Sequence, residues 1–147
     1  MDSNAGPKVY LRALAVWVAI ILAESIHGTL RTLFIEPAIG GPEARQISVL
    51  TGSILIFLVT LLFIRWIAAR SARAFLTIGA MWVLHTVAFE LALGRLVLGL
   101  PWQRILEDYD IANGGLMLFG LLFLLLSPLI ASRVRNRGKF EEAFTRR

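Results

Sequence analysis

Two acids, two histidines and three arginines stand where an otherwise apolar chain has little reason to place them. Glu24, His27 and Arg31 share one stretch, Arg45 opens the next, and His85, Glu90 and Arg95 lie along a third. Carboxylates and imidazoles in apolar surroundings exchange protons, and together with guanidinium groups they hold ions or small polar solutes. Glu90 is the first of these to single out. A charged carboxylate costs roughly 2.5 to 3.5 kcal/mol at the centre of a membrane helix. The sequence therefore predicts Glu90 buried in a helix bundle beside a cation from Arg31, Arg45 or Arg95. The competing reading of the same seven residues is a set of ion pairs that fixes helix register. Trp102, Asp108, Tyr109 and Asp110 form a second group of candidates in an outer loop. Asp108 and Asp110 resemble an acid pair, and their position equally suits the cap of a helix starting near Ile111.

Much chemistry is excluded at once. The chain has no cysteine, which removes disulfides, thiolate nucleophiles, cysteine-ligated zinc and iron–sulfur clusters. No nucleophile elbow, zinc-protease helix, phosphate loop or dinucleotide-binding glycine pattern is present. No residue is assigned a catalytic role, and an enzyme is the less favoured class. His27 and His85 invite a bis-histidine haem, yet on spans counted from their inner ends they differ in height by roughly 7 to 8 Å. Haem and quinone are therefore disfavoured, and neither a metal nor any cofactor is predicted.

The elements that must position these residues are four apolar stretches, 11–26, 47–66, 74–93 and 111–131. Hydrophobic residues make up 57% of the chain and charged residues 17%, a balance suited to lipid. Lipid offers backbone groups no hydrogen bonds, so such stretches cross as helices. The fold expected is all-α, a single transmembrane domain over 1–147. Its four helices run at about 8–32, 46–67, 73–96 and 111–132, followed by a short basic cytoplasmic tail at 133–147.

Lys8, Arg12, Arg65, Arg70, Arg73, Arg133, Arg135, Arg137, Lys139, Arg146 and Arg147 fall on one side of these helices. Only Arg31, Arg45, Arg95 and Arg104 fall on the other. The positive-inside rule then places both termini in the cytoplasm and both long loops outside. Because the basic residues sit at helix ends, the net charge of +5 is a topology signal and not a nucleic-acid surface. A signal peptide is the rival reading of Lys8, Arg12 and the apolar run 13–23, but no small-x-small cleavage site follows, which favours an uncleaved first helix.

Helix 1 is expected to start near Pro7 and to end before Pro37, with 37–42 a turn-rich loop. Helices 2 and 3 form a tight hairpin through 68–72, and Pro128 is expected to kink helix 4. Ala15, Ala19 and Ala23 recur every four residues and continue into His27 and Arg31, which predicts a close-packing seam of small residues on helix 1. On helix 3, Trp82, Thr86, Glu90 and Gly94 share one line, with His85 and Phe89 beside it.

His27-Gly-Thr-Leu-Arg31, Ala44-Arg-Gln-Ile-Ser-Val49, Phe89-Glu90, Gly94-Arg95 and Asp108-Tyr-Asp-Ile111 resemble an uncharacterised group of small bacterial four-helix inner-membrane proteins. The resemblance implies the fold and the bacterial inner membrane, and no activity. Two functions of different class follow from the residues. The leading one is binding or movement of a small solute, ion or proton through the outer polar cluster, in a homo-oligomer within the lipid bilayer. The alternative is a non-catalytic accessory or assembly subunit packed into a larger membrane complex.

Overall fold

The computed structural model describes residues 6–145, the side chains of 113 and 137–145 excepted. Asp2, Arg146, Arg147 and the side chains of Arg137, Lys139, Glu141 and Glu142 thus lie outside the described residues. Among the described residues there is no strand. Helix α1 (Pro7–Leu30) passes through a π turn (Arg31–Ile35) into the single turn of α2 (Glu36–Ile39), and α3 (Gly41–Ile67) runs back. Helix α4 (Ala72–Ala92) goes out again and ends in a second π turn (Leu93–Val97). Short helix α5 (Trp102–Glu107) and a 3-10 turn (Ile111–Asn113) cross that end, and α6 (Met117–Thr145) returns. Four helical runs, Pro7–Ile39, Gly41–Ile67, Ala72–Val97 and Met117–Asn136, are long and apolar enough to cross a membrane. The chain is an all-α, four-helix, multi-pass membrane protein. The end carrying α2 and α5 is called the loop end below, and the opposite end the terminal end.

Local chemistry sets the boundaries, and several differ from the expected ones. Helix 1 does not stop before Pro37. The π turn carries Glu36 N–H to Arg31 O, five residues back, and the helical path runs on through Pro37, which has no N–H to donate. The expected loop at 37–42 shrinks to Gly40, whose φ of 92° turns the chain into α3, with Pro42 in its first turn. At the terminal end Ala68 closes α3 in the left-handed region, φ 62°. Ser71 then caps α4, its Oγ accepting from Ala74 N–H at 3.1 Å. The last long helix starts at Met117, not near 111. Asp110 Oδ1 caps the 3-10 turn through Ala112 N–H at 3.0 Å, and the chain folds back with Gly115 N–H on Asp110 O at 2.8 Å and Met117 N–H on Asp108 O at 3.1 Å. The segment expected as a tail from 133 is helical to Thr145.

Around the bundle α1 lies beside α3 and α4, and α6 completes the ring against the same two helices. Tryptophans join α1 to α4: Trp82 Nε1 donates to Ala13 O at 2.8 Å and Trp17 Nε1 to Thr86 Oγ1 at 3.0 Å. Between α3 and α6, Ser127 Oγ donates to Thr60 Oγ1 at 2.7 Å, both residues fully buried. Helices α4 and α6 pack closely, with the Leu125 backbone lying against Gly79. The buried core of Ala13, Val16, Ile20, Ile64, Ile67, Phe75, Ile78, Trp82, Leu124 and Ala131 fills the bundle from the terminal end to its middle. Leu11, Leu22, Leu50, Leu62 and Leu84 are exposed on the outside, as a lipid-facing surface requires.

Helix α1 buries Ala13, Val16 and Ile20, not the alanine line predicted for it. Ala15 is exposed, and Ala19 and Ala23 are only half-buried. The indole of Trp82 on the Ala13 carbonyl turns α1 so that this neighbouring line faces inward.

Candidate functional site

Past Ile20 the buried face of α1 changes character. One turn on stands Glu24, then His27, both on the loop-end side of the apolar core. The Glu24 carboxylate rests against Gly52 of α3, where a Cβ would meet Oε2 at 2.9 Å. Glu24 Oε2 lies 3.6 Å from His27 Nδ1, the side chains being 29% and 21% exposed. His27 Nε2 lies 2.9 Å from Thr51 Oγ1, and Thr51 Oγ1 also lies 3.0 Å from Ile47 O. Glu24 thus reaches α3 across a glycine and His27 reaches it through a hydroxyl.

Glu90 departs from expectation. Trp82 and Thr86 on its line are buried, and Gly94 is covered by Ile105. The Glu90 side chain itself is exposed. Among the described residues the ion pairs within 4 Å are Glu24–His27 and Arg104–Glu107, so none of Arg31, Arg45 and Arg95 closes on Glu90. The physical reason is reach: both tryptophan bridges lie on the terminal side of Glu90, and its long side chain emerges beyond them. Its charged neighbours are Asp108, Glu24 and Arg31. Two carboxylates and one guanidinium therefore act on Glu90.

Tyr109 completes this end. It is half-buried, and burial, followed by the charges of Glu90 and Asp108, pushes its phenol above the usual tyrosine value of 10.0. Among the described residues, three polar atoms in this half are buried without a hydrogen-bond partner: Glu24 Oε1, Ser48 Oγ and Tyr109 OH. Such atoms are rare in folded proteins and mark strain, function or a place for a small partner.

The structure thus brings together Glu24, His27, Arg31, Glu90, Asp108 and Tyr109. Other candidates lie apart. Arg95 donates to Leu100 O at 3.2 Å and stands 5.8 Å from the Trp102 ring, so this pair braces its own loop. Asp110 is the cap described above. His85 donates from Nδ1 to Met81 O at 2.7 Å and meets Trp17 edge-on at 5.3 Å, nearer the apolar core. Arg45 is half-buried on α3, with no contact that joins it to the cluster.

The tryptophan bonds pair Ala13 with Trp82 and Trp17 with Thr86, which sets the level of His85 near residue 16 of α1. His27 is then about eleven residues, or roughly 16 Å, farther along the axis. This exceeds the separation expected from the sequence, and no single iron bridges it. Among the described residues no three His, Asp or Glu side chains converge as metal ligands.

Sequence reasoning passed over Ser48, Thr51 and Gly52, the α3 wall of the site. Their signal was a run of small and polar residues three to four apart, Arg45, Ser48, Thr51 and Gly52, on an otherwise apolar helix. Comparison of the chain with family models, with curated proteins and with solved structures finds no match.

Proposed function

We propose that this protein binds or moves a small solute, ion or proton at its loop-end polar cluster. One observation carries the reading. Among the described residues, the buried polar atoms left without partners, Glu24 Oε1, Ser48 Oγ and Tyr109 OH, all lie in this half of the bundle, beyond the apolar core. Lipid supplies no hydrogen bonds to such atoms, whereas a small polar ligand does. Glu24, Glu90 and Asp108 outnumber Arg31, so the ligand that restores neutrality is a cation or a proton. Glu24 holds it, His27 and Thr51 orient the carboxylate, and Gly52 gives it room.

The proposal includes a bacterial inner membrane, with both termini cytoplasmic and the loop end outside, from the distribution of Lys and Arg. It also includes self-association, because four helices leave little room for a full transport path. Purified protein in liposomes, with a trapped pH dye and with small-cation and solute tracers, tests the reading. Uptake or binding that Glu24→Gln abolishes at equal incorporation is expected. If wild-type protein neither binds nor moves any of them, and is recovered in stoichiometric complex with a larger membrane partner, the accessory-subunit reading replaces this one.

A further inference from the structure

We infer that Glu24, His27 and Thr51 form a site that takes up and releases one proton, the Thr51 hydroxyl changing acceptors as it does so. The inference rests on the reading that the loop-end cluster binds a small ligand, and it names that ligand.

Thr51 Oγ1 is 2.9 Å from His27 Nε2 and 3.0 Å from Ile47 O. A hydroxyl has one hydrogen and can give it to one of these at a time. In the first arrangement it donates to Nε2. The neutral ring then carries its hydrogen on Nδ1, directed at the ionised Glu24 carboxylate 3.6 Å away. In the second arrangement the hydroxyl donates to Ile47 O and accepts from Nε2–H. Nδ1 and Glu24 Oε2 would then face each other with lone pairs only, so a further proton resides on one of them. The second arrangement holds one proton more than the first. In both, Nε2 and Oγ1 are hydrogen-bonded, and Nδ1 faces Oε2 with one hydrogen between them.

An ion pair that merely fixes register needs only one satisfied state. This one has two, differing by a proton and by rotation about a single C–O bond. The site also has walls and access. Gly52 leaves room for the carboxylate beside α3, and Glu24 and His27 are both partly exposed. Beyond the pair, Glu90 on α4 interacts with Glu24, and Arg31 on α1 and Asp108 in the loop act in turn on Glu90. From α3, the nearest side chains, Ser48 and Thr51, do not titrate.

The test is a pH titration of full-length protein in lipid nanodiscs, followed by nuclear magnetic resonance of histidine ring nitrogens and glutamate carboxyl carbons. Glu24→Gln and His27→Gln assign the signals. The expected result is one common step for His27 and Glu24. Above the step the ring hydrogen sits on Nδ1, and below it Nε2 carries a hydrogen while the second proton lies on Nδ1 or on Glu24 Oε2. Thr51→Val keeps shape and lowers the proton affinity of the pair about tenfold, the worth of one charge-assisted hydrogen bond. Separate midpoints, no step, or a ring that keeps its hydrogen on Nε2 above the step overturns the inference. A common step in a protein that binds and moves nothing else upholds it while overturning the broader reading. Solute binding without the step does the reverse.

Discussion

The same substitution at two glycines is expected to act in opposite directions, because of what each new methyl group would meet. At Gly79 a Cβ would lie 2.8 Å from the carbonyl carbon and 3.0 Å from the Cα of Leu125, and closer still to its oxygen. These atoms are backbone on α6 and cannot swing aside. Gly79→Ala must therefore separate α4 from α6, an overpacking that costs about 1 to 3 kcal/mol, and often more at such short contacts. Alanine's better helix propensity offsets roughly 1 kcal/mol of that, leaving a net loss of up to about 2 kcal/mol. At Gly52 the Cβ would meet only the Glu24 carboxylate, with Oε2 at 2.9 Å and Cδ at 3.5 Å. That is the free end of a flexible side chain, so Gly52→Ala keeps stability or raises it by up to about 1 kcal/mol, while displacing Glu24 from His27. Reversible unfolding in mixed micelles, read by tryptophan fluorescence, gives both values. If Gly79→Ala proves as stable as Gly52→Ala, the close packing of α4 on α6 is refuted.

Further outcomes follow from other contacts. Ala68→Gly relieves a left-handed alanine, φ 62°, and is expected to stabilise by about 1 kcal/mol in the same unfolding assay. Ser127→Ala removes one donor to Thr60, whose own hydrogen still reaches Ile56 O at 2.7 Å; its cost is about 0.6 kcal/mol, the average for such bonds in a membrane protein. Thr60→Val should cost more, since it strands the buried Ser127 hydroxyl, and a double-mutant cycle measures the difference. Burial and neighbouring charge raise the Tyr109 phenol above 10.0, so its contribution to stability is complete below that value and is lost as pH rises through the folded value. Tyr109→Phe should remove that alkaline loss in a pH series of melting temperatures. Because the chain has no cysteine, Gln103→Cys and Arg70→Cys report topology cleanly. An impermeant thiol reagent on intact cells is expected to label position 103 and not 70, and the reverse pattern overturns the orientation.

The four helices were legible because long apolar stretches in lipid have one stable backbone solution. Their ends were less so. Pro37 reads as a stop, and only the π turn at Arg31–Ile35 shows how the helix carries on past it. The rotation of α1 was misjudged by a neighbouring line of residues. Ala15, Ala19 and Ala23 make an attractive stripe, but a long-range bond from Trp82 to the Ala13 carbonyl decides which face turns inward, and no local pattern encodes that. Glu24, His27 and Arg31 were visible as ionisable groups in apolar surroundings. Ser48, Thr51 and Gly52 were not, since small and weakly polar residues are ordinary in membrane helices. Glu90 shows the limit of periodicity: it shares a line with buried Trp82 and Thr86, yet a long side chain leaves the line its Cα occupies. Glu90→Gln is accordingly expected to change stability by no more than about 0.5 kcal/mol.

The central claim is that the ligand is held at Glu24, and ligand-linked stability tests it most directly. Melting temperatures of the detergent-solubilised protein, taken across pH and across a series of small cations, record whatever binds the folded state. Wild-type protein and His85→Gln are expected to respond in the same way, because His85 lies apart from the site against Trp17. Glu24→Gln is expected to fold and to lose the response. A Glu24→Gln protein whose melting temperature follows pH and cations as the wild type does would contradict the account.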